Sequence, residues 1–202
     1  MKILIAKYAY IAVAFFGVAT ACNEPQKDKL GIEKTSPIPS TPKNVFPFYK
    51  DIEIKPGYHF EVISWGKGAD SVGGLIIMMS DSLKQHYRSI AAERTGVVTD
   101  AWNLDLDNDG NPEIYIQTGT ADKQTDLNVF EYTGDFNKIS FPGLKTMKGY
   151  AGNDKFYVKG GELFRSVPLV QLDSNQKELV LVKNLKYRLV NNTFSFSEQK
   201  DE

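Results

Sequence analysis

Apolar and polar positions alternate along most of the second half of the chain. The runs "HFEVISW", "EIYIQT", "NVFEYTG", "KFYVKGG", "ELFRSV", "LKYRLV" and "TFSFSE" repeat with period two and are rich in Val, Ile, Tyr and Phe. Such runs place one side chain in two on each face of a pleated strand, so they predict half-buried β-strands. Two further runs, "GLIIMM" and "ELVLV", are continuously apolar. That pattern predicts central strands covered on both faces. Turn chemistry separates the runs: "KGG" at Lys159 to Gly161 and the pair Asn191–Asn192 tolerate the positive φ of tight hairpins. "LKYRLVNNTFSFSE" therefore reads as a C-terminal hairpin. Only "DSLKQHYRSIAAE" has room for a short helix, and "RSIAAERTG" inside it fits a strand equally well. The expected fold is all-β, a single antiparallel β-sandwich or flattened barrel of about nine to eleven strands. No repeat with a period of 20–50 residues is visible, which argues against a propeller.

The N-terminal pattern is different. Lys2 and Lys7 precede an apolar or small run from Tyr8 to Ala21, about fourteen residues long. A spanning helix needs about 20, so the run reads as a secretory signal. It closes on Ala19, Thr20 and Ala21, and Cys22 follows. This resembles a bacterial lipobox, in which the cysteine after the cleavage point is lipidated. Cys22 is the only cysteine, so an exported chain has no internal disulfide for it to join. Residues 22–44 hold Pro25, Pro37, Pro39 and Pro42 and few large apolar side chains. Such a segment cannot bury enough surface to order itself, and proline extends it. The expected organisation is a signal peptide at 1–21, a lipidated disordered tether at 22–44 and a β-domain at 45–202. Localisation follows: the cell envelope, lipid-anchored through Cys22, most simply at the outer membrane on its periplasmic or surface face.

Charge narrows the partners. The chain has 24 Lys and Arg against 25 Asp and Glu, and residues 1–21 remove two lysines and no acid, leaving −3. That balance gives no footprint for nucleic acid.

Candidate chemistry is concentrated in "DLDNDGNPE". Asp105, Asp107, Asp109, Asn111 and Glu113 alternate, and Gly110 sits inside the run. Alternating oxygens on a tight loop suit Ca²⁺. A helical calcium hand would need an acid at the twelfth position, which is Ile116, and the flanks alternate as strands do. A nine-residue loop between strands, similar to those of integrin-type blades, remains. So does a metal-free turn, in which Asp and Asn bond their own backbone; about 1 kcal/mol per exposed acid pair is bearable in water. No cofactor is required, and Ca²⁺ is the one the residues would admit.

Catalytic residues are sparse. The histidines, His59 and His86, form no HxxxH pair, and neither a G-x-S-x-G elbow nor a phosphate loop occurs. The chain is therefore expected not to be an enzyme. Trp65, Trp102, Tyr115 and Tyr132 would serve either as a sugar-binding platform or as core filling.

Several motifs then follow in order: "DLDNDGNPEIYIQTGT", "LNVFEYTGD", "GYAGNDKFYVKGGELFRSVPLV" and "LKYRLVNNTFSF". This succession resembles the periplasmic inhibitors of invertebrate-type lysozymes, over roughly residues 60–197. The matching positions are Gly149, Tyr150, Gly152, Asp154, Phe156, Gly160, Gly161, Leu163, Arg165 and Pro168. The resemblance implies a single β-sandwich, a lysozyme or other envelope protein as partner, and an inhibitory loop after the "EIYIQT" strand. That loop maps onto Thr118, Gly119, Thr120, Lys123, Gln124 and Asp126. Thr118–Gly119 stands for the family's Ser-Gly, and the tyrosine that follows in the family has no counterpart before Tyr132. The resemblance thus implies a binding loop with an altered target. A carbohydrate-binding or calcium-stabilised envelope module is the other reading.

Overall fold

A computed structural model describes residues 46–66 and 71–199. The signal segment, Cys22 and the tether to residue 44 lie outside the described residues. Twelve strands follow one another: β1 (Phe48–Lys55), β2 (Tyr58–Trp65), β3 (Val72–Asp81), β4 (His86–Thr95), β5 (Val97–Leu104), β6 (Glu113–Gly119), β7 (Thr125–Tyr132), β8 (Phe136–Ile139), β9 (Lys155–Lys159), β10 (Glu162–Leu172), β11 (Glu178–Val190) and β12 (Thr193–Gln199). All pairings between them are antiparallel, and no helix occurs among the described residues.

The strands form three consecutive four-stranded meanders, β1–β4, β5–β8 and β9–β12. They pack face to face, as in a sandwich, but in three layers with two cores. Between the first and second sheets lie Phe60, Val62, Leu75, Ile77, Ile114, Ile116 and Phe130. Between the second and third lie Tyr115, Leu127, Val129, Leu163, Val167, Leu185 and Tyr187. The middle sheet is buried on both sides, and the pleat decides which residue goes where. Ile114 and Ile116 on β6 face the first sheet; Tyr115 between them faces the third. Each such side chain contributes about 1.5–3 kcal/mol on full burial.

The all-β antiparallel expectation holds, with one strand more than the upper count and no closed barrel. The architecture repeats three times as four-stranded meanders although the residues do not. The ambiguous segment "RSIAAERTG" is strand, not helix. It follows a turn in which the Asp81 carboxylate accepts from the N–H groups of Leu83 and Lys84, both at 3.1 Å, and Gln85 takes φ 49°. The two hairpins expected from their turns are present. Gly160 and Gly161 take φ 61° and 77°, and Asn191 and Asn192 take φ 49° and 57°, the left-handed pairs of type I′ turns.

The continuous apolar runs behave differently from expectation. In "GLIIMM", Leu75, Ile77 and Met79 are core, while Ile76 and Met78 on the other face are only half-buried. "ELVLV" is exposed throughout: Leu179, Val180, Leu181 and Val182 are 40–57% exposed. It is not a separate strand but the first part of the long β11, paired with Val182 to Pro168 through Glu178 to Leu172. β12 joins β11 only from Asn184 onward. β10 and β11 therefore run beyond β12 as an arm, whose β10 strand still buries Val167 and Leu169 in the second core while Leu179 to Val182 on β11 are exposed. Pro168 lies beyond the last β9 partner, Ser166, where no ladder bond on that side is lost.

The arm and the core should separate in stability. Leu181→Ser is expected to change unfolding free energy by less than about 0.5 kcal/mol. Leu185→Ala, four residues along the same strand, is expected to cost about 2–5 kcal/mol. Urea denaturation of the two variants measures both.

Candidate functional site

Two candidate regions lie at opposite ends of β6. At its C-terminal end, β6 and β7 are joined by the loop Thr120–Gln124. The loop is closed by its own backbone: Thr120 N–H donates to Gln124 O at 3.0 Å and Lys123 N–H to Thr120 O at 2.9 Å. The Thr120 hydroxyl bonds the Asp122 carboxylate, which this contact holds below the usual carboxylate range. Lys123 takes φ 63° and is exposed at the tip. Of the residues expected to meet a partner, Thr118 is buried at 2%, the last member of the β6 row that faces the first sheet. Thr118, Thr120, Gln124 and Asp126 line a recess of about 210 Å³ that also includes Lys145 and Tyr150. Gly119 pairs with Thr125, closing the ladder.

What fixes this hairpin comes from the third sheet and the segment before it. Arg165, on β10, is the largest fully buried side chain among the described residues. Its Nε donates to Asp154 Oδ2 at 2.6 Å, and its Nη2 donates to the carbonyl of Thr125 at 2.5 Å. Its guanidinium lies over the Phe156 ring, 4.6 Å from the centroid. Asp154 also accepts the Tyr150 hydroxyl at 2.6 Å, and its backbone carbonyl accepts the Thr125 hydroxyl at 3.1 Å. Burial opposes the charge on Arg165, but Tyr187 and Asp154 together hold its proton more firmly than usual. Asn153 N–H donates to Lys123 O at 2.8 Å. Gly152, at φ 79°, makes that approach feasible: a Cβ there would sit 2.6 Å from the same oxygen. Gly149 plays the same part against Val170, whose carbonyl would lie 2.5 Å from a Cβ.

Tyr150, Gly152, Asp154, Phe156 and Arg165 were singled out as motif positions but given no role. In space they are one unit, a clamp on the β6–β7 hairpin. Their spacing in "GYAGNDKF" and "LFR" was the available signal; what the spacing lacked was the hairpin they hold.

At the N-terminal end of β6 lies the acidic loop. Asp105, Asp107, Asp109 and Glu113 bring one carboxylate oxygen each to within 4.8 Å of one another. Backbone groups satisfy part of the set. Gly110 N–H donates to Asp105 Oδ2 at 3.1 Å, Asp109 N–H to Asp107 Oδ1 at 3.3 Å and Asn111 N–H to Asp109 Oδ1 at 2.8 Å. Asn111 also turns its amide onto Asp109 Oδ2 at 2.8 Å. Asn108 and Gly110, at φ 60° and 86°, supply the curl. Glu113 is fully buried. Its Oε2 accepts from Leu106 N–H at 2.8 Å and from the Tyr115 hydroxyl at 3.4 Å. Burial pushes its carboxyl up to about 8, and Asp107 and Asp105 push the same way against the Leu106 bond. Burial, then Asp109, also raises Asp107.

The remaining candidates do not assemble. His59 lies on β2 with Nδ1 3.0 Å from Asp51 Oδ1, and that contact raises its pKa. His86 opens β4 beside Lys55, Tyr58 and Asp81. The four aromatics form no platform. Tyr115 and Tyr132 are core, and Trp102 stacks on Tyr115 with centroids 5.8 Å apart. Trp65 lies flat over Gly74, where a Cβ would fall 2.1 Å from its ring.

Comparison with protein-family models gives no match to the chain, and comparison with the curated proteins gives no matching relative.

Breaking the clamp should be costly. Arg165→Met and Asp154→Asn, each leaving one buried partner unmatched, are expected to lower stability by about 3–5 kcal/mol. The double replacement Arg165→Met with Asp154→Asn is expected to cost less than the sum of the single changes. Chemical denaturation of the four proteins gives the coupling.

Proposed function

We propose that this protein is an envelope lipoprotein that binds a protein partner through its β6–β7 hairpin, and that the partner is a lysozyme-type enzyme. The observation that carries the reading is the clamped hairpin. A loop already held in one conformation loses little freedom on binding, so more of its contact energy appears as affinity. Lys123 and Asp122 stand at the tip, exposed, while the carbonyls of Lys123 and Thr125 behind them are tied to Asn153 and Arg165.

The ordered motifs support the partner class. Their matching residues Tyr150, Gly152, Asp154 and Arg165 all serve the segment that corresponds to the inhibitory loop. The exposed arm supports a protein partner. Leu172 and Leu179 to Val182 offer apolar area of the kind that interfaces use. Its base is joined to the same region, because Val170 N–H donates to Gly149 O at 2.8 Å. The chain acts by occupying its partner rather than by chemistry of its own. Lipid on Cys22 anchors it, two or more acyl chains giving stable attachment at about 0.8 kcal/mol per buried CH₂. The proline-rich tether spaces the domain from the bilayer.

Lysozyme activity measured with invertebrate-type, chicken-type and goose-type enzymes tests the partner. Inhibition of at least one at micromolar protein is expected. Lys123→Glu combined with Gln124→Ala should weaken it at least about tenfold, as losses at central contacts do, with the melting temperature unchanged. Full activity of all three enzymes defeats the reading.

A further inference from the structure

We propose that the loop from Asp105 to Glu113 binds one Ca²⁺ ion, held by the carboxylates of Asp105, Asp107, Asp109 and Glu113. Four acids on a loop would not be enough to say so, since a solvated acidic turn is stable without a cation. The deciding feature is that two oxygens of the set are not solvated. Glu113 is fully buried, and its Oε1 has no hydrogen-bond donor; Asp105 Oδ1 is buried and equally without a donor. A buried carboxylate oxygen with nothing to accept from costs several kcal/mol in general, so native structures supply a partner.

Four backbone donors of the loop are already used. The N–H groups of Leu106, Asp109, Gly110 and Asn111 are each committed to another carboxylate oxygen of the same four residues. No lysine or arginine forms an ion pair with any of the four acids among the described residues. Lys186, which borders the adjoining recess, is engaged with Glu162. A cation at the centre satisfies both bare oxygens at once.

Its chemistry follows from the donors. All are oxygens, with neither imidazole nor thiolate, so a hard ion is selected over zinc or copper. The oxygens span no more than 4.8 Å, a set that suits the ~2.3–2.6 Å bonds and irregular shell of Ca²⁺. Mg²⁺ would demand a near-ideal octahedron at ~2.0–2.1 Å and keep several waters. The ion would be structural. It would fix the entry to β6 where the loop borders the β11–β12 turn, since Asp107 and Asp109 share a recess with Asn191 and Asn192.

The full chain, stripped of metal with a chelator, is titrated by calorimetry with Ca²⁺ alone and with Mg²⁺ alone. One site per chain is expected, with a dissociation constant below about 1 mM for Ca²⁺ and at least about tenfold weaker for Mg²⁺. At a hundredfold excess over that constant the melting temperature should rise by roughly 5–10 °C. Tb³⁺ gives an independent signal. Trp102 stacks on Tyr115, whose hydroxyl bonds Glu113, so excitation of these rings should sensitise bound Tb³⁺, and Ca²⁺ should displace it. Glu113→Gln, which keeps the side chain's shape and removes a carboxylate ligand, should abolish the calcium-induced rise while leaving the metal-free protein folded. Asp107→Asn, at a partly exposed position, should weaken Ca²⁺ about tenfold and leave the metal-free fold intact. No heat and no melting shift at roughly 5 mM Ca²⁺, or binding unaltered in both variants, overturns the proposal. Neither outcome depends on whether a lysozyme is bound.

Discussion

One buried ion pair organises the part of the molecule around the β6–β7 hairpin. Arg165 and Asp154 meet at 2.6 Å with side chains at 2% and 0% exposure. Two charges removed from water carry a desolvation penalty of several kcal/mol each, offset only where the geometry is good and the other polar atoms are bonded. Here Asp154 also receives the Tyr150 hydroxyl, and Arg165 reaches the Thr125 carbonyl. These bonds form together only when the segment 150–154, β10 and the β6–β7 hairpin occupy one mutual arrangement, although the Nη1 of Arg165 is left without a hydrogen-bond partner among the described residues. A purely apolar contact would tolerate sliding. A directional network does not, and this is why the hairpin has a single seat.

The same strand, β6, connects the two ends where chemistry is concentrated. Its seven residues span about 20 Å at ~3.3 Å per residue. Glu113 begins it under the acidic loop, and Gly119 ends it at the hairpin. Between them Ile114, Tyr115 and Ile116 are wholly buried. A strand covered on both faces behaves as a strut: neither end can shift without disturbing two cores.

Much of this was legible in the residues, and the limits have physical reasons. Alternation identified most strands because half of each faces a core. The turns at Gly160–Gly161 and Asn191–Asn192 were legible because positive φ is a local property. Tertiary covering is not local. "EIYI" alternates and was expected to be half-buried, yet it lies between two sheets, while the continuously apolar "ELVLV", expected to be covered on both faces, is exposed. Whether a second layer exists above a strand depends on residues far away in the chain. β1 went unassigned, and β4 was left between helix and strand, for a related reason. In "FYKDIEIK" and "HYRSIAAERT" the polar positions are charged and the faces only partly buried, so the contrast is weak. At the acidic loop the ligand types and spacing were readable, but the burial of Glu113 was not. It arises because the pleat that sends Ile114 towards the first sheet sends Glu113 towards the third. The clamp was visible as a motif and silent as a mechanism, since its partner carbonyl, on Thr125, is a backbone atom that no side-chain pattern records.

The threefold meander has a consequence for how the chain reaches this state. Within each sheet every pairing joins strands adjacent in sequence, so each sheet can begin from short loops, with small closure entropies. Low contact order of this kind favours fast local assembly. The outer sheets each have one face to cover; the middle sheet has two, and neither of its faces is complete until both neighbours have docked. The order of events is therefore asymmetric. During synthesis the first two meanders emerge before the third, and until β9–β12 arrive the apolar row Tyr115, Leu127 and Val129 stands open. A chain exported through a membrane in extended form meets the same interval on the far side. The period of greatest vulnerability to misassociation lies there, between the closing of the first core and the closing of the second.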